Sequence, residues 1–218
     1  WRAPTANGPF GRDDTLASLC AREVWDLAED RDGNLWLATT CGVLRIDRYG
    51  FTGYAKADGL RSLGVDSILE NNAGDLVVTT LEAGRTVHRF DGAKFSSVEP
   101  SLPPNAAYAG WGWNQTVMQD REGAWWVPSG GGVYRYRASD RPEDAMRSRP
   151  EAIYTGYEIF RVFEDASGDV WLSRTGLVGL LVWKRATGRV VDRTAETGVA
   201  SEYSAFCESS DGALWIGL

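Results

Sequence analysis

The sequence predicts an all-β chain built as a β-propeller of four-stranded blades, and three observations carry that prediction. A tight turn ending in glycine recurs at Gly33, Gly74, Gly123, Gly168 and Gly212, at separations of 41, 49, 45 and 44 residues. Ten Trp and 25 Gly stand among 218 residues, a composition that aromatic strands broken by turns produce and long amphipathic helices do not. Each turn is followed by period-two apolar residues, a second turn and another strand-like run, as in "EDRDGNLWLATTCGVLRI" at 29–46. A repeat of that length with four short strands per unit is a blade rather than a helical repeat.

The units follow in order. The first runs from Val24 as "VWDLAEDRDGNLWLATTCGVLRI" and continues through "FTGYAKADGLRS", an outer strand and a link to the next unit. The second begins at Val65, the third at Asn114, the fourth at Ile159, and the fifth supplies only "YSAFCESSDGALWIGL" from Tyr203. In each, an Asp, Asn or Ser three positions before the glycine can cap the turn, and glycine tolerates positive φ. Leu27, Ile68, Val117, Val162 and Phe206 share one position of the repeat, and Trp36, Val77, Trp126, Trp171 and Trp215 another; both are expected to pack each blade on a neighbour. A lone blade has two apolar faces and an open edge, so stacking is obligatory. "PEDAMRSRPEAIY" at 142–154 has room for one short helical turn in an excursion. The chain therefore reads as a single propeller region, 1–218, with repeats at about 20–60, 61–110, 111–155 and 156–200 and an incomplete 201–218. About four to five blades are expected, as an arc of a larger ring, with a closed five-blade ring as the competing arrangement.

Composition bounds the function. Lys and Arg number 23 against 30 Asp and Glu, a formal charge of -7 with no concentrated run of either sign. Nucleic acid and an anionic membrane surface are poor partners for such a chain. The longest apolar run, near "VGLLVW", is too short to cross a bilayer, so a membrane connection would lie in other segments. No secretory leader is visible at "WRAPTANGPF"; the absent initial Met and the stop at "WIGL" read as a processed chain or a fragment. Cys20, Cys41 and Cys207 lack metal or redox spacing and read as buried thiols, with one disulfide and a leftover thiol as the alternative.

The repeats resemble the two-component regulator propeller repeat, whose pattern runs V-x-x-I-x-E-D-x-x-G-x-L-W-x-G-T-x-x-G-L-x-R-[FY]. The match is closest at Val24, Leu27, Glu29, Asp30, Gly33, Leu35, Trp36, Thr39, Gly42, Val43, Arg45 and Ile46, and the last unit keeps Glu208, Gly212, Leu214, Trp215 and Gly217. The second unit departs with Asn71 and Val77, the third with Pro128-Ser129-Gly130, and the fourth with Ser173-Arg174-Thr175. The resemblance implies the periplasmic sensor region of a bacterial membrane receptor, commonly a hybrid histidine kinase with seven-bladed propellers. Kinase activity would belong to the parent protein and not to this region. The rest of that receptor is then a partner, and a homodimer another.

Propeller loops reach the rims and carry recognition. The longest linker, "VEPSLPPNAAYAGWGWNQ", gathers Tyr108, Trp111, Trp113, Asn114 and Gln115, aromatic faces beside amides that suit an oligosaccharide or another small molecule. Equivalent links offer Arg22 and Glu23, Arg61 and Ser62, Tyr157 and Glu158, and Glu202 and Tyr203, which are expected to converge near one mouth of the channel. The competing readings are Trp side chains capping a blade end and ordinary solvated linker residues. "DRDGN" lacks the further ligands of a calcium loop, and "SGGGVYRY" lacks the Lys and Ser/Thr of a phosphate loop, so no cofactor or metal is expected.

Noncatalytic binding is the leading expectation, with a protein-binding scaffold as the alternative. A propeller lyase acting on cyclic peptide antibiotics has similar repeats, but His88 is the only histidine and cannot supply both a metal site and a base. His88 is expected to be a partly buried strand residue. Glu158 and Glu202 keep a carboxylate pair for glycan hydrolysis as a minor alternative.

Overall fold

The computed structural model describes residues 23–80, 85–104, 106, 116–198 and 202–218. They form four four-stranded antiparallel sheets and one two-stranded sheet. Blade one is β1 (Val24–Glu29), β2 (Leu35–Thr39), β3 (Gly42–Asp47) and β4 (Gly50–Tyr54), and blade two β5 (Val65–Glu70), β6 (Leu76–Thr80), β7 (Thr86–Phe90) and β8 (Phe95–Val98). Blade three is β9 (Met118–Gln119), β10 (Trp125–Ser129), β11 (Gly132–Tyr136) and β12 (Glu151–Thr155); blade four is β13 (Ile159–Glu164), β14 (Val170–Arg174), β15 (Gly179–Lys184) and β16 (Arg189–Asp192). Blade five contributes β17 (Ala205–Glu208) and β18 (Leu214–Gly217). Strands run in simple meander order, and the first strands β1 and β5 lie side by side, as do β13 and β17. The excursion before β12 holds one short helix, α1 (Pro142–Met146), and a second, α2 (Thr194–Thr197), follows β16.

The recurring turn explains why these residues fold this way. Gly33, Gly74, Gly123, Gly168 and Gly212 all have φ between 77° and 89°, and each donates its N–H to the carbonyl three residues earlier at 2.8–3.0 Å. The capping side chain gathers the remaining turn amides. Asp30 Oδ1 accepts from the N–H groups of Asp32 and Asn34 at 3.0 and 2.8 Å, and Asp165 Oδ1 from those of Ser167 and Asp169 at 2.9 and 3.0 Å. Its other oxygen takes the indole N–H six residues on: Trp36 to Asp30 at 2.7 Å, Trp126 to Asp120 at 2.9 Å, and Trp171 to Asp165 at 2.7 Å. In blade five Ser209 Oγ takes that role for Trp215 at 3.1 Å.

Blade two replaces both members at once. With Val77 there is no indole to satisfy, and an amide replaces the acid: Asn71 Oδ1 still accepts from Asp75 N–H at 2.7 Å, while its Nδ2 donates to the Asp140 carbonyl of blade three at 2.8 Å. Gly42 and Gly132 open the third strands of blades one and three, where the outer strand passes close by. A Cβ there would lie 2.1 Å from the Tyr54 carbonyl oxygen and 1.9 Å from that of Tyr154.

The core lies between blades. Trp36, Ala38 and Val43 pack on Val65, Ile68 and Val78; Val77 and Val87 on Val117, Trp125 and Val127; Trp126 and Val133 on Val162, Val170 and Leu172; and Leu180 with Trp171 on Phe206. The two shared positions thus meet across every internal joint. They do not at the ends, where Leu27 is 61% and Trp215 66% exposed, because no blade covers either among the described residues.

Two further expectations are corrected. His88 is fully buried rather than partly, because it occupies the middle strand side of blade two and its Nε2 accepts the Arg61 N–H at 3.0 Å. Burial pushes its pKa down to about 4. The cysteines are not three buried thiols. Cys41, in the turn between β2 and β3, is disulfide-bonded, and its partner lies outside the described residues. Cys207 is an exposed free thiol paired across the sheet with Trp215.

Candidate functional site: buried charges on the first strands

Of the residues singled out from the links, Arg22, Tyr108, Trp111, Trp113, Asn114 and Gln115 lie outside the described residues. Arg61 extends along the outermost strand of blade two, with Nη1 3.0 Å from Glu99 and Nε 3.5 Å from Ser97 Oγ. Tyr157 is exposed and receives the Arg174 guanidinium 5.3 Å from its ring centre. Glu158 is half-buried, and its carbonyl accepts Thr175 N–H. Glu202 is exposed, whereas Tyr203 is sealed in the joint between blades four and five with its hydroxyl 2.7 Å from Thr197 Oγ1. Tyr203 therefore fills the core and presents no ring to solvent. Ser62 is also buried, and Glu23 is exposed with its carboxylate accepting the Trp25 indole N–H.

A second group was not anticipated from the sequence. The first strands of blades one, two and four each carry a β-bulge at the same place, between Val24 and Asp26, Val65 and Ser67, and Ile159 and Arg161. An extra residue there bends the strand and re-aims the side chains beside it. Asp26, Asp66 and Arg161 sit at these bulges, and Arg85 opens the path into β7. Asp66, Arg85 and Arg161 are all buried, and Asp26 is largely so.

Each charge is partly satisfied by polar neighbours. Asp26 Oδ2 accepts from Ile68 N–H at 2.8 Å and Ser67 Oγ at 3.2 Å, tying blade one to blade two. Arg161 donates from Nε to the Ser204 carbonyl and from Nη1 to the Phe160 carbonyl, at 3.0 and 3.1 Å, with its guanidinium stacked 3.7 Å over the Phe160 ring. Asp66 accepts the Thr79 hydroxyl, and Arg85 donates to the Thr116 carbonyl at 3.0 Å. Arg85 Nη2 stands 4.0 Å from Asp66 Oδ2, an ion pair too long for a direct hydrogen bond. Asp66 Oδ2 and Thr116 Oγ1 are buried without a hydrogen-bond partner among the described residues.

Burial raises the pKa of both Asp66 and Asp26, the former against the pull of Arg85 and the latter against its backbone hydrogen bonds. Burial and the neighbouring Arg85 lower that of Arg161 to about 10. Two acids and two bases balance in charge, which is the condition for such groups to remain inside a fold. The unpaired oxygens can accept hydrogen bonds, and Thr116 directly follows residues 107–115 in the sequence. The sequence does hold a trace of it: an acid or base interrupts the apolar run in "VWDLAE", "VDSILE" and "IFRVFE". No metal-holding group of three or more His, Cys, Asp or Glu occurs among the described residues.

Four-stranded meander blades stacked through recurring turn and Trp contacts define a β-propeller with polar groups gathered on its first strands. Residues 18–41, spanning β1, the Asp30 turn and β2, match the family model of the two-component regulator propeller, so the chain carries that family's repeat. No curated protein matches the chain. Among solved structures it is similar to the extracellular domain assigned to the hybrid two component system BT4673 from B. thetaiotaomicron, with 19% identity, a TM-score of 0.69, and coverage of 93% of this chain and 29% of that one. The corresponding domain of BT3049 from the same organism gives 14% identity, a TM-score of 0.69, and coverage of 89% and 26%. Virginiamycin B lyase from Staphylococcus aureus gives 18%, 0.65, and coverage of 88% and 62%. These are likenesses of fold, and the chain spans less than a third of the two receptor domains.

Proposed function

We propose that the chain is a noncatalytic, ligand-sensing portion of the extracytoplasmic region of a bacterial two-component receptor. The observation that carries this reading is the two-component regulator repeat at 18–41, whose turn recurs in every blade and whose indole contact recurs in blades three, four and five. Two further facts support it. The structures it resembles include extracellular domains assigned to hybrid two-component systems, and the disulfide at Cys41 suits an oxidising compartment such as the periplasm. No helix among the described residues is long and apolar enough to cross a membrane.

The ligand in this reading is an oligosaccharide or another small molecule, held by the aromatic link at Tyr108, Trp111, Trp113, Asn114 and Gln115. Aromatic faces with neighbouring amides bind the apolar faces and hydroxyls of a sugar. A lyase reading is disfavoured because the sole histidine is sealed inside blade two.

Calorimetry of the chain against an oligosaccharide panel, with product analysis of each hit, tests the proposal. Saturable binding with the glycan recovered intact, weakened tenfold or more by Trp111→Ala or Trp113→Ala in a folded chain, is the expected result. Glycan cleavage would make the protein an enzyme. Unchanged affinity in both variants would remove the aromatic link from the site.

A further inference from the structure

In blades one and three an arginine of the third strand stands directly across from the indole of the second. Arg45 pairs in register with Trp36 and Arg135 with Trp126, each guanidinium over its ring at 5.6 and 5.7 Å. Blade two keeps the arginine and lacks the ring, since Arg89 stands across from Val77. The indole position faces the next blade. Val in place of Trp therefore leaves the joint of blades two and three short of a large side chain, and a folded interior does not leave such a gap unfilled.

The excursion of blade three packs there. Ala145 and Met146 of α1, both fully buried, share one cluster with Val77, Val87 and Val98 of blade two and with Val117, Trp125 and Val127 of blade three. Glu143 is buried as well. Its Oε1 lies 3.4 Å from Arg89 Nε and accepts the Ser96 hydroxyl, while Arg89 Nη1 lies 3.2 Å from Asp75 Oδ2. The Ser139 carbonyl fixes the excursion to its own blade through Trp125 Nε1 and Gln119 Nε2, at 2.8 and 2.9 Å. Two carbonyls reach the other way. That of Asp140 accepts Asn71 Nδ2 at 2.8 Å, and that of Met146 accepts the N–H of Ser101, at the start of the link that leaves blade two, at 2.9 Å.

These attachments are few for the joint they close. The helix has five residues, too short to hold its shape unaided. Glu143 Oε2 and Arg89 Nε are buried without a hydrogen-bond partner among the described residues, so the buried ion pair is incompletely satisfied. Segments held in this way open locally at lower free energy than the strands beside them.

We propose that α1 is a releasable clasp on the joint of blades two and three: it stands in for the indole that blade two lacks, and it opens together with Ser101 while both blades stay folded. Release uncovers Val77, Val87 and Val98 and frees the start of the link, so the position of that link depends on the state of the clasp. The inference is independent of whether the link binds a ligand.

Amide hydrogen exchange followed by NMR on the 218-residue chain tests it. In the wild type the amides of Ala145, Ser148 and Ser101, each hydrogen-bonded within or onto the clasp, are expected to share one protection factor, tenfold or more below the protected amides of β6 and β10. Glu143→Ala should speed exchange at those three amides tenfold or more and leave β6 and β10 unchanged, because Arg89 keeps Asp75. Glu143→Gln, which retains an acceptor for Ser96, should give a smaller rise at the same three sites. Ser101 exchanging independently of α1, a rise shared equally by β6 and β10, or no rise in the Glu143→Ala chain would each overturn the proposal.

Discussion

Asp120→Ala, read against Ser209→Ala, separates the packing of the turn from the repeat pattern that encodes it. Asp120 is fully buried and accepts the Trp126 indole N–H at 2.9 Å, the turn N–H groups of Ala124 and Glu122 at 2.9 and 3.1 Å, and Nη2 of Arg135 and of Arg185 at 3.3 and 3.2 Å. Burial works against its charge, but the indole, the Ala124 amide and the two guanidinium groups outweigh it and hold the pKa below the ordinary carboxylate value. Removing the carboxylate leaves the guanidiniums partnered, since both also reach Glu122 and Arg185 reaches Glu164. The fully buried Trp126 indole and the buried Ala124 amide are left without an acceptor.

One orphaned buried donor costs about 1–3 kcal/mol, and hydrogen bonds to a charged group contribute about 1.5–3 kcal/mol each without strict additivity. A loss of about 3–5 kcal/mol is the expected sum. Ser209→Ala removes the same contact from Trp215, which is 66% exposed and can turn to water, so a loss under about 1 kcal/mol is expected. Urea unfolding, with amide exchange to locate the loosened blade, measures both, because stacked repeats need not unfold as one unit. Equal losses, or a loss below about 1 kcal/mol for Asp120→Ala, would refute the claim that burial sets the value of this contact. The sign with pH follows: the contribution is complete above the ordinary carboxylate value and fades as pH falls through the lowered folded value.

Two other outcomes are expected. Because His88 titrates near 6.5 when unfolded and about 4 when folded, stability should be complete above 6.5 and fall by about 3 kcal/mol towards pH 4; a His88→Gln chain showing the same slope in pH-dependent melting would refute that assignment. Glu164→Ala removes the acceptor for the Arg121 N–H and guanidinium across the joint of blades three and four, and for Arg185 within blade four, and should cost about 2–4 kcal/mol in chemical unfolding, with little change on Glu202→Ala at its exposed site.

The repeat spacing, the turn glycines and the alternation of apolar residues were enough to read four-stranded blades from the sequence, because each depends on contacts within a few residues of chain. The Asp30 to Trp36 pairing is local in that sense, and the joint replacement of Asp and Trp by Asn71 and Val77 is explained once the indole contact is known. The short helix at Pro142–Met146 also follows from local composition. The charged group was not legible as a group. Asp26, Asp66, Arg85 and Arg161 come from three blades; bulges bend the first strands beside Asp26, Asp66 and Arg161, and Arg85 reaches the group from just before β7.

The same division holds for burial. Tyr203 and Trp215 are both aromatic residues of the last unit, yet one is sealed and the other is two-thirds exposed. His88 reads as an ordinary strand residue until Arg61, 27 positions earlier, is found donating to its ring. Sequence determined the unit of construction because hydrogen-bonded turns and period-two strands are decided by neighbours in the chain. Only the tertiary structure decided which charges meet and which side chains are sealed between blades, because those depend on how one blade packs on the next.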